Sequence, residues 1–313
     1  MTIGVALPSG DTAGVANLVD ELIGQTRQAA DAGLDSAWFS QQFDRDAISL
    51  AALAGREVPG IAVGTSVVPI FPRHPLLLSS LAQTAQAATG GRFSLGVGLG
   101  AKDLLEPAFG LPYPPPIRHL REYLTVLRQL LSGDPVEFDG ETVSAHPTTA
   151  WPTTVAGAAR VPVLVAAMGP QALKVTGELA DGTLPFLAGP KAVSEQIVPV
   201  ITKAAEAAGR PAPKIVVAIL AVVTGDVDAV RAITAKQMGF YDAIPSYQRI
   251  IAAEGVSKAA ELAVVGDEDV VAAAVRRYFD AGATEVVVTQ AGIRNSEERL
   301  RTWKLLGELA KSG

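Results

Sequence analysis

The sequence predicts an α/β fold in which eight parallel strands close into a (β/α)8 barrel, and three observations predict it. Short β-branched or apolar runs alternate with longer Ala/Leu-rich amphipathic stretches from end to end, the pattern of repeated strand–helix units. Eight such units fit the 313 residues, and a closed barrel of this kind takes about 250. No low-complexity tract or linker divides the chain, so residues 1–313 read as one TIM-barrel domain, with insertions after strands four and seven.

The first strand falls at 3–7, and the helix behind it stops at Gly33, the residue type that most easily takes a left-handed C-terminal position. The second falls at 36–40; of Trp38 and Phe39, one points into the barrel and the other toward the helices, both as core. The third, 62–68, precedes Pro75, which suits the first turn of a helix. The fourth is at 92–97 and the fifth at 162–166. More than one helix separates them, and the turn formers in 111–116 and 136–152 mark an insertion. The sixth strand, 182–185, is followed by a helix closed by Gly209 and Pro211. After the seventh, 214–223, comes a long connection at 237–261, of the kind that serves as a lid or binding loop. Asp267 is placed as a helix N-cap and the last strand at 285–289. Beyond it, Glu297, Glu298, Arg299 and Arg301 alternate charge and read as a solvated helix face.

Composition bounds the function. A net charge of -6 opposes nucleic-acid binding, which draws on clustered Lys and Arg. The N-terminus lacks a basic region followed by an apolar run, and no stretch approaches the roughly 20 apolar residues of a membrane span, so the expectation is a soluble, cytoplasmic protein without a membrane partner. With no Cys, thiolate chemistry and sulfur-ligated metals are absent; His74, His119 and His146 are too scattered for a metal site. The expected partner is a small molecule.

In such barrels the chemistry sits at the C-terminal ends of the strands. There the sequence places Gln41 and Gln42 after strand two, the run from Pro69 through Arg73 and His74 after strand three, and Gly98-Leu99-Gly100-Ala101-Lys102 after strand four. After strand five, Ala167-Met168-Gly169-Pro170 turns straight into a helix, offering free amides and a positive dipole end to an anion such as phosphate; an ordinary strand-to-helix turn looks the same. The glycines at 96, 98 and 100 are spaced wrongly for a Rossmann fingerprint, but they imply close approach of a flat ring or a packed helix. Asp103 and Glu106 share a helical face and read as part of a solvated insertion.

Four segments, VGTSVVPIFPRHP at 63–75, GGRFSLGVGLG at 90–100, VPVLVAAMGPQALKVTGELADGTL at 161–184 and VVGDEDVVAAAVRRYFDAGATEVVV at 264–288, together resemble the luciferase-like monooxygenase superfamily, most closely its F420-dependent oxidoreductases. The resemblance implies the deazaflavin coenzyme F420 as cofactor, with FMN as the alternative because the superfamily includes FMN-dependent monooxygenases. It implies a bulged third strand with a cis peptide at Ser66–Val67 behind the ring. Gln41, Thr65, Ser66, Val67, Gly98, Leu99 and Gly100 would then line the ring and its chain, and Ala167, Met168 and Gly169 its phosphate. It also implies a homodimer, for which the helices at 48–54 and 76–88 are candidate faces.

Departures from the family pattern bear on the reaction. Where sugar-phosphate dehydrogenases of this branch carry a catalytic His, an acid and a Trp, this chain has Gln42, Ala101 and Asp46. Neither Gln nor Ala exchanges a proton near neutral pH, so sugar-phosphate oxidation is not expected. The expected reaction is hydride transfer from reduced F420 to a small electrophile. Gln42 is the candidate hydrogen-bond partner, His74 the candidate proton donor, and Arg73 or Lys102 the candidate anion site. Two competing readings are an FMN-dependent monooxygenase and a flavin-binding protein that has lost catalysis. A metal-independent barrel lyase fits poorly, since Lys214 opens its strand at the wrong end.

Overall fold

A computed structural model describes residues 1–148 and 150–312. Its strands, in chain order, are β1 (Thr2–Leu7), β2 (Ser36–Phe39), β3 (Ala62–Thr65), β4 (Val68–Pro69), β5 (Phe93–Gly98), β6 (Phe138–Asp139), β7 (Ser144–Ala145), β8 (Val163–Val165), β9 (Gly182–Thr183), β10 (Lys214–Val223), β11 (Val264–Gly266) and β12 (Glu285–Thr289). Parallel ladders run β12–β1–β2–β3–β5–β8–β9–β10, and β10 pairs back to β12, which closes the eight-stranded barrel.

The period-two alternation of the strands builds two cores. Trp38, Leu164, Leu184, Val216 and Val287 fill the barrel interior. Phe39, fully buried, joins the larger layer between strands and helices. Each such side chain contributes about 1.5–3 kcal/mol by leaving water.

The outer helices are α1 (Leu18–Ala32), α2 (Ala47–Glu57), α3 (Pro75–Ala88), α4 (Lys102–Phe109), α5 (Pro116–Ser132), α6 (Pro170–Leu179), α7 (Pro190–Ala192), α8 (Val198–Ala207), α9 (Val227–Met238), α10 (Pro245–Ala253), α11 (Glu268–Asp280) and α12 (Ser296–Ser312). Gly33 takes the left-handed position after α1, Pro75 opens α3, and the Asp267 carboxylate accepts from Val270 N–H at the start of α11. The insertion after the fourth barrel strand, β5, is α4, α5 and the β6–β7 hairpin; that after the seventh, β10, runs through α9 and α10 to β11. Among the described residues no helix is long and apolar enough to cross a membrane.

Three expectations are corrected. The third strand is not continuous over 62–68: pairing stops at Thr65 and resumes at Val68, where β4 continues along β5. The sixth strand ends at Thr183 because Pro185 has no N–H to extend the ladder, and only a single bridge, Phe186 to Ala218, follows. Finally, α12 does not present a purely solvated charged face, since Glu298 and Arg299 are 7% and 9% exposed. Arg299 donates to the Ser9 carbonyl and to Gln28 Oε1, and Glu298 accepts from the Thr224 hydroxyl at 2.6 Å. Hydrogen bonds to loops after the first and seventh barrel strands offset part of the desolvation of these charges, while Glu298 Oε2 and Arg299 Nε have no hydrogen-bond partner among the described residues.

Candidate active site

The break in the third strand is organised by one hydroxyl. Thr65 Oγ1 donates to the Gly96 carbonyl at 2.8 Å and accepts from Gly96 N–H at 2.9 Å, replacing ladder bonds that the break removes. A Cβ at Gly96 would overlap the Thr65 carbonyl oxygen. The Ser66–Val67 peptide is cis. Ser66 N–H donates to the Phe39 carbonyl at 2.8 Å, and Ser40 Oγ donates to the Ser66 carbonyl at 2.9 Å.

Two glycines then keep the β5 end bare. A Cβ at Gly98 would come within 2.8 Å of Val67 Cγ2; Gly100 sits at φ 74°, where L side chains are strained, with Leu105 packed against it. The Tyr113 hydroxyl donates to the Leu99 carbonyl at 2.7 Å and fastens this turn. On the next strand, the Ala167 carbonyl is held by the Thr183 hydroxyl at 2.9 Å, and Gly169 N-caps α6 without a side-chain cap. The helix's own bonding starts at Leu173 N–H to the Gly169 carbonyl. The amides of Gly169, Gln171 and Ala172 therefore have no helical acceptor, and Pro170 has none to offer.

Beside this bare backbone lies a cavity of about 260 Å³. Pro69, paired with Gly98, and Leu105, packed on Gly100, line it on the side of the bare turn. Phe43, Phe71, Phe109 and Leu104 form its apolar wall. Phe109 meets Phe43 edge-on at 6.0 Å and Phe71 at 6.4 Å. Its polar rim is Gln41, Gln42 and Arg73. Gln41 staples its own loop: Nε2 donates to the Gln42 and Arg45 carbonyls and Oε1 accepts from Ala47 N–H. Arg73 pairs with Asp46 at 3.2 Å. Burial works to raise the Asp46 carboxyl, but hydrogen bonds from Ser49 and Arg73 outweigh it and hold the group below its ordinary range.

A model of the luciferase-like monooxygenase family matches residues 1–285. The chain belongs to this family. Among its relatives, the 5,10-methylenetetrahydromethanopterin reductase of Methanopyrus kandleri is 28% identical over 302 residues, covering 83% of this chain and 86% of that one. A putative coenzyme F420-dependent oxidoreductase of Mycobacterium tuberculosis is 28% identical over 173 residues, 52% of this chain and 50% of its own. The solved structure of the Methanopyrus kandleri F420-dependent tetrahydromethanopterin reductase superposes with a TM-score of 0.78 at 24% identity, over 98% of this chain and 97% of that one. An F420-dependent secondary alcohol dehydrogenase in complex with an F420–acetone adduct superposes at 0.80 with 19% identity, covering 97% of each chain. An FMN complex of the oxygenating constituent of 3,6-diketocamphane monooxygenase from Pseudomonas putida superposes at 0.77 with 16% identity, over 98% and 97% of the two chains. Structural likeness at these identities establishes the luciferase-like barrel alone.

Within this luciferase-like barrel, Thr65, Ser66, Val67, Gly98, Leu99 and Gly100 come together across β3, β4 and β5, with Ala167, Met168 and Gly169 on the next strand end. Gln42 lies at the cavity rim with its side chain exposed. Lys102 lies on the outer side of α4, 61% exposed and 3.8 Å from Glu106. Asp103 is exposed as expected of a solvated insertion, whereas Glu106 also accepts from Tyr113 N–H.

His74, the candidate proton donor, is the N-cap of α3. Its Nδ1 accepts from Leu76 N–H at 3.2 Å, and Nε2 lies 2.9 Å from the Ser144 carbonyl, to which only a protonated Nε2 donates. Both nitrogens are spent on capping α3 and holding the β6–β7 hairpin. Phe43 and Phe109 on the cavity wall and Tyr113 on the turn after β5 are not among the residues expected at the site. The available signal was a phenylalanine directly after Gln42, at a strand end where packing does not call for one.

Proposed function

We propose that the chain is a coenzyme F420-dependent oxidoreductase that transfers hydride from the reduced deazaflavin to a small organic electrophile, an activated C=C, C=N or similar bond. One observation carries the reading. The side-chain-free backbone at Gly98 and Gly100 leads across adjacent strands to the uncapped amides of α6, so a flat ring and an anionic tail find support on neighbouring strand ends. The Mycobacterium tuberculosis relative, named as a putative coenzyme F420-dependent oxidoreductase, favours F420 over FMN.

When bound, the deazaflavin supplies a hydride from carbon and, lacking the flavin's neighbouring nitrogen, reacts poorly with oxygen. The chain's own residues position and desolvate. The backbone of Gly98, Leu99 and Gly100 lines the ring side, Thr65 fixes the strand break behind it, and Gln41 acts indirectly by shaping the loop that carries Gln42. The amides of Gly169, Gln171 and Ala172 hold phosphate. The Gln42 amide donates to the substrate atom on which negative charge develops. The Phe43, Phe71 and Phe109 wall excludes water, and Lys102 is placed to meet an acidic tail outside the cavity. With Gln42 and Ala101 at strand ends where an acid or base would stand, the proton comes from solvent.

We read the protein as a cytoplasmic homodimer. Leu53 on α2 and Leu77 and Leu81 on α3 are 46%, 67% and 39% exposed on two helices that pack together.

Fluorescence titration of the purified protein with F420 and with FMN, under identical conditions, tests the cofactor. Tight F420 and weak FMN binding is the expected result, followed by oxidation of reduced F420 with an electrophile. Preference for FMN assigns a monooxygenase instead, and tight F420 binding without turnover on any electrophile assigns a cofactor-binding protein.

A further inference from the structure

The cavity differs in character from the backbone cradle beside it. Its wall is aromatic and aliphatic, and its rim carries little free polar chemistry. Gln41 has committed its amide to three backbone partners. Arg73 faces Asp46 at 3.2 Å, so a ligand carboxylate would compete with a fixed one. Lys102 reaches Glu106 from outside. Among the described residues, Gln42 is thus the one on the rim with an uncommitted neutral donor and acceptor.

The mouth is also incompletely covered. Phe43 is 71% exposed and Phe109 43%, although their rings pack on each other over the cavity. Such surface gains about 25 cal/mol for every Å² withdrawn from water, so the occupant that best satisfies the site is itself apolar. A charged occupant would lose hydration without gaining a counter-charge.

Resting on the cofactor reading above, we propose that the substrate is an uncharged apolar cyclic enone, its ring on Phe71 and Phe109 and its carbonyl oxygen on the Gln42 amide. The C=C π bond breaks as a C–H bond forms at the β-carbon from the hydride of the reduced deazaflavin. A second C–H bond forms at the α-carbon from a solvent proton. The enone is reduced by two electrons and the deazaflavin, which also releases a proton, is oxidised by two. While the enolate lasts, its oxygen accepts from Gln42.

Calorimetric titration with carvone, and with 1-cyclohexene-1-carboxylate as a charged ring of similar size, tests this with and without saturating F420. Carvone is expected to bind at least tenfold more tightly than the carboxylate. Phe109→Ala and Phe43→Ala are each expected to weaken carvone about tenfold, roughly 1.4 kcal/mol. Both side chains are substantially exposed, so these variants should melt like the parent, and their F420 affinity should be unchanged. Carboxylate binding as tight as carvone, or carvone binding indifferent to both substitutions, overturns the proposal. If F420 binds and carvone binds neither form, the substrate assignment falls alone. If carvone binds through the phenylalanines but F420 does not bind, the cofactor reading falls and the apolar cavity stands.

Discussion

The Tyr113 hydroxyl donates to the Leu99 carbonyl at 2.7 Å while its ring meets Phe71 edge-on at 5.2 Å. One side chain therefore joins the bare turn after β5 to the aromatic wall of the cavity. Burial raises its phenol above the ordinary value, so it remains a donor throughout the neutral range. Tyr113→Phe should keep the ring contact and lose one hydrogen bond, about 1 kcal/mol. If that bond holds the turn in its binding geometry, F420 affinity falls about fivefold. Equal dissociation constants for parent and variant, measured by fluorescence titration, would remove Tyr113 from this positioning role.

The barrel was legible because its signals are local. Trp38 and Phe39 are neighbours with opposite destinations, as alternation requires, and Gly33, Pro75 and Asp267 punctuate the helices where their backbone chemistry suits. The break in the third strand is hidden in composition, since Thr65, Val67 and Val68 read as one β-branched run; only its family resemblance marked it. What the sequence hides depends on distant partners. Nothing local places Ser144 against His74 Nε2, and Arg299 looks solvated until the Ser9 carbonyl claims its guanidinium. Likewise Phe43 and Phe109 become a cavity wall only because the insertion after β5 folds back over the loop after β2.

Gly96→Ala should be among the most damaging small substitutions in the chain. Its new methyl meets backbone, the Thr65 carbonyl, and relief would require opening both Thr65–Gly96 hydrogen bonds. A loss of about 3 kcal/mol or more is expected. Gly24→Ala, within α1 and with open space around its Cβ, should instead gain about 0.5–1 kcal/mol. Urea midpoints of the two variants that shift in the same direction would contradict this account.

Asp46 both caps α2 through Ser49 and neutralises Arg73. Asparagine is as good an N-cap as aspartate, so Asp46→Asn should leave the melting temperature nearly unchanged while releasing a positive charge at the cavity rim. Affinity for 1-cyclohexene-1-carboxylate should then rise several-fold at low salt, with the gain shrinking as salt screens it. Absence of any gain in low-salt calorimetry would mean that Arg73 does not face the cavity contents.

The exposed leucines of α2 and α3 make the dimer testable at one position. Leu77, 67% exposed at the start of α3, contributes little to the barrel core. Leu77→Asp should therefore fold normally and shift the sedimentation velocity from dimer to monomer. A parent protein that sediments as a monomer throughout the micromolar range defeats the dimer directly.

His119 gives the pH dependence a definite sign. Thr142 donates its hydroxyl proton to Glu122 at 2.6 Å, so the Thr142 oxygen accepts from His119 Nδ1 at 3.1 Å. That leaves Nε2 unprotonated and buried without a hydrogen-bond partner among the described residues. Protonation would place an N–H there with nothing to receive it. Burial accordingly pulls the imidazole below its ordinary pKa of 6.5, against an upward pull from Glu122. A depressed histidine stabilises the fold above its unfolded value, and that contribution is lost as the pH falls through the lower folded value. The urea midpoint should drop as the pH falls below about 6.5, and His119→Gln should remove much of the drop. His146 pulls the opposite way: hydrogen bonds from its ring to Glu137 and Asp139 raise it, so its contribution fades as pH rises. Being exposed, it should matter little, and His146→Gln should retain the acid-side drop that His119→Gln loses.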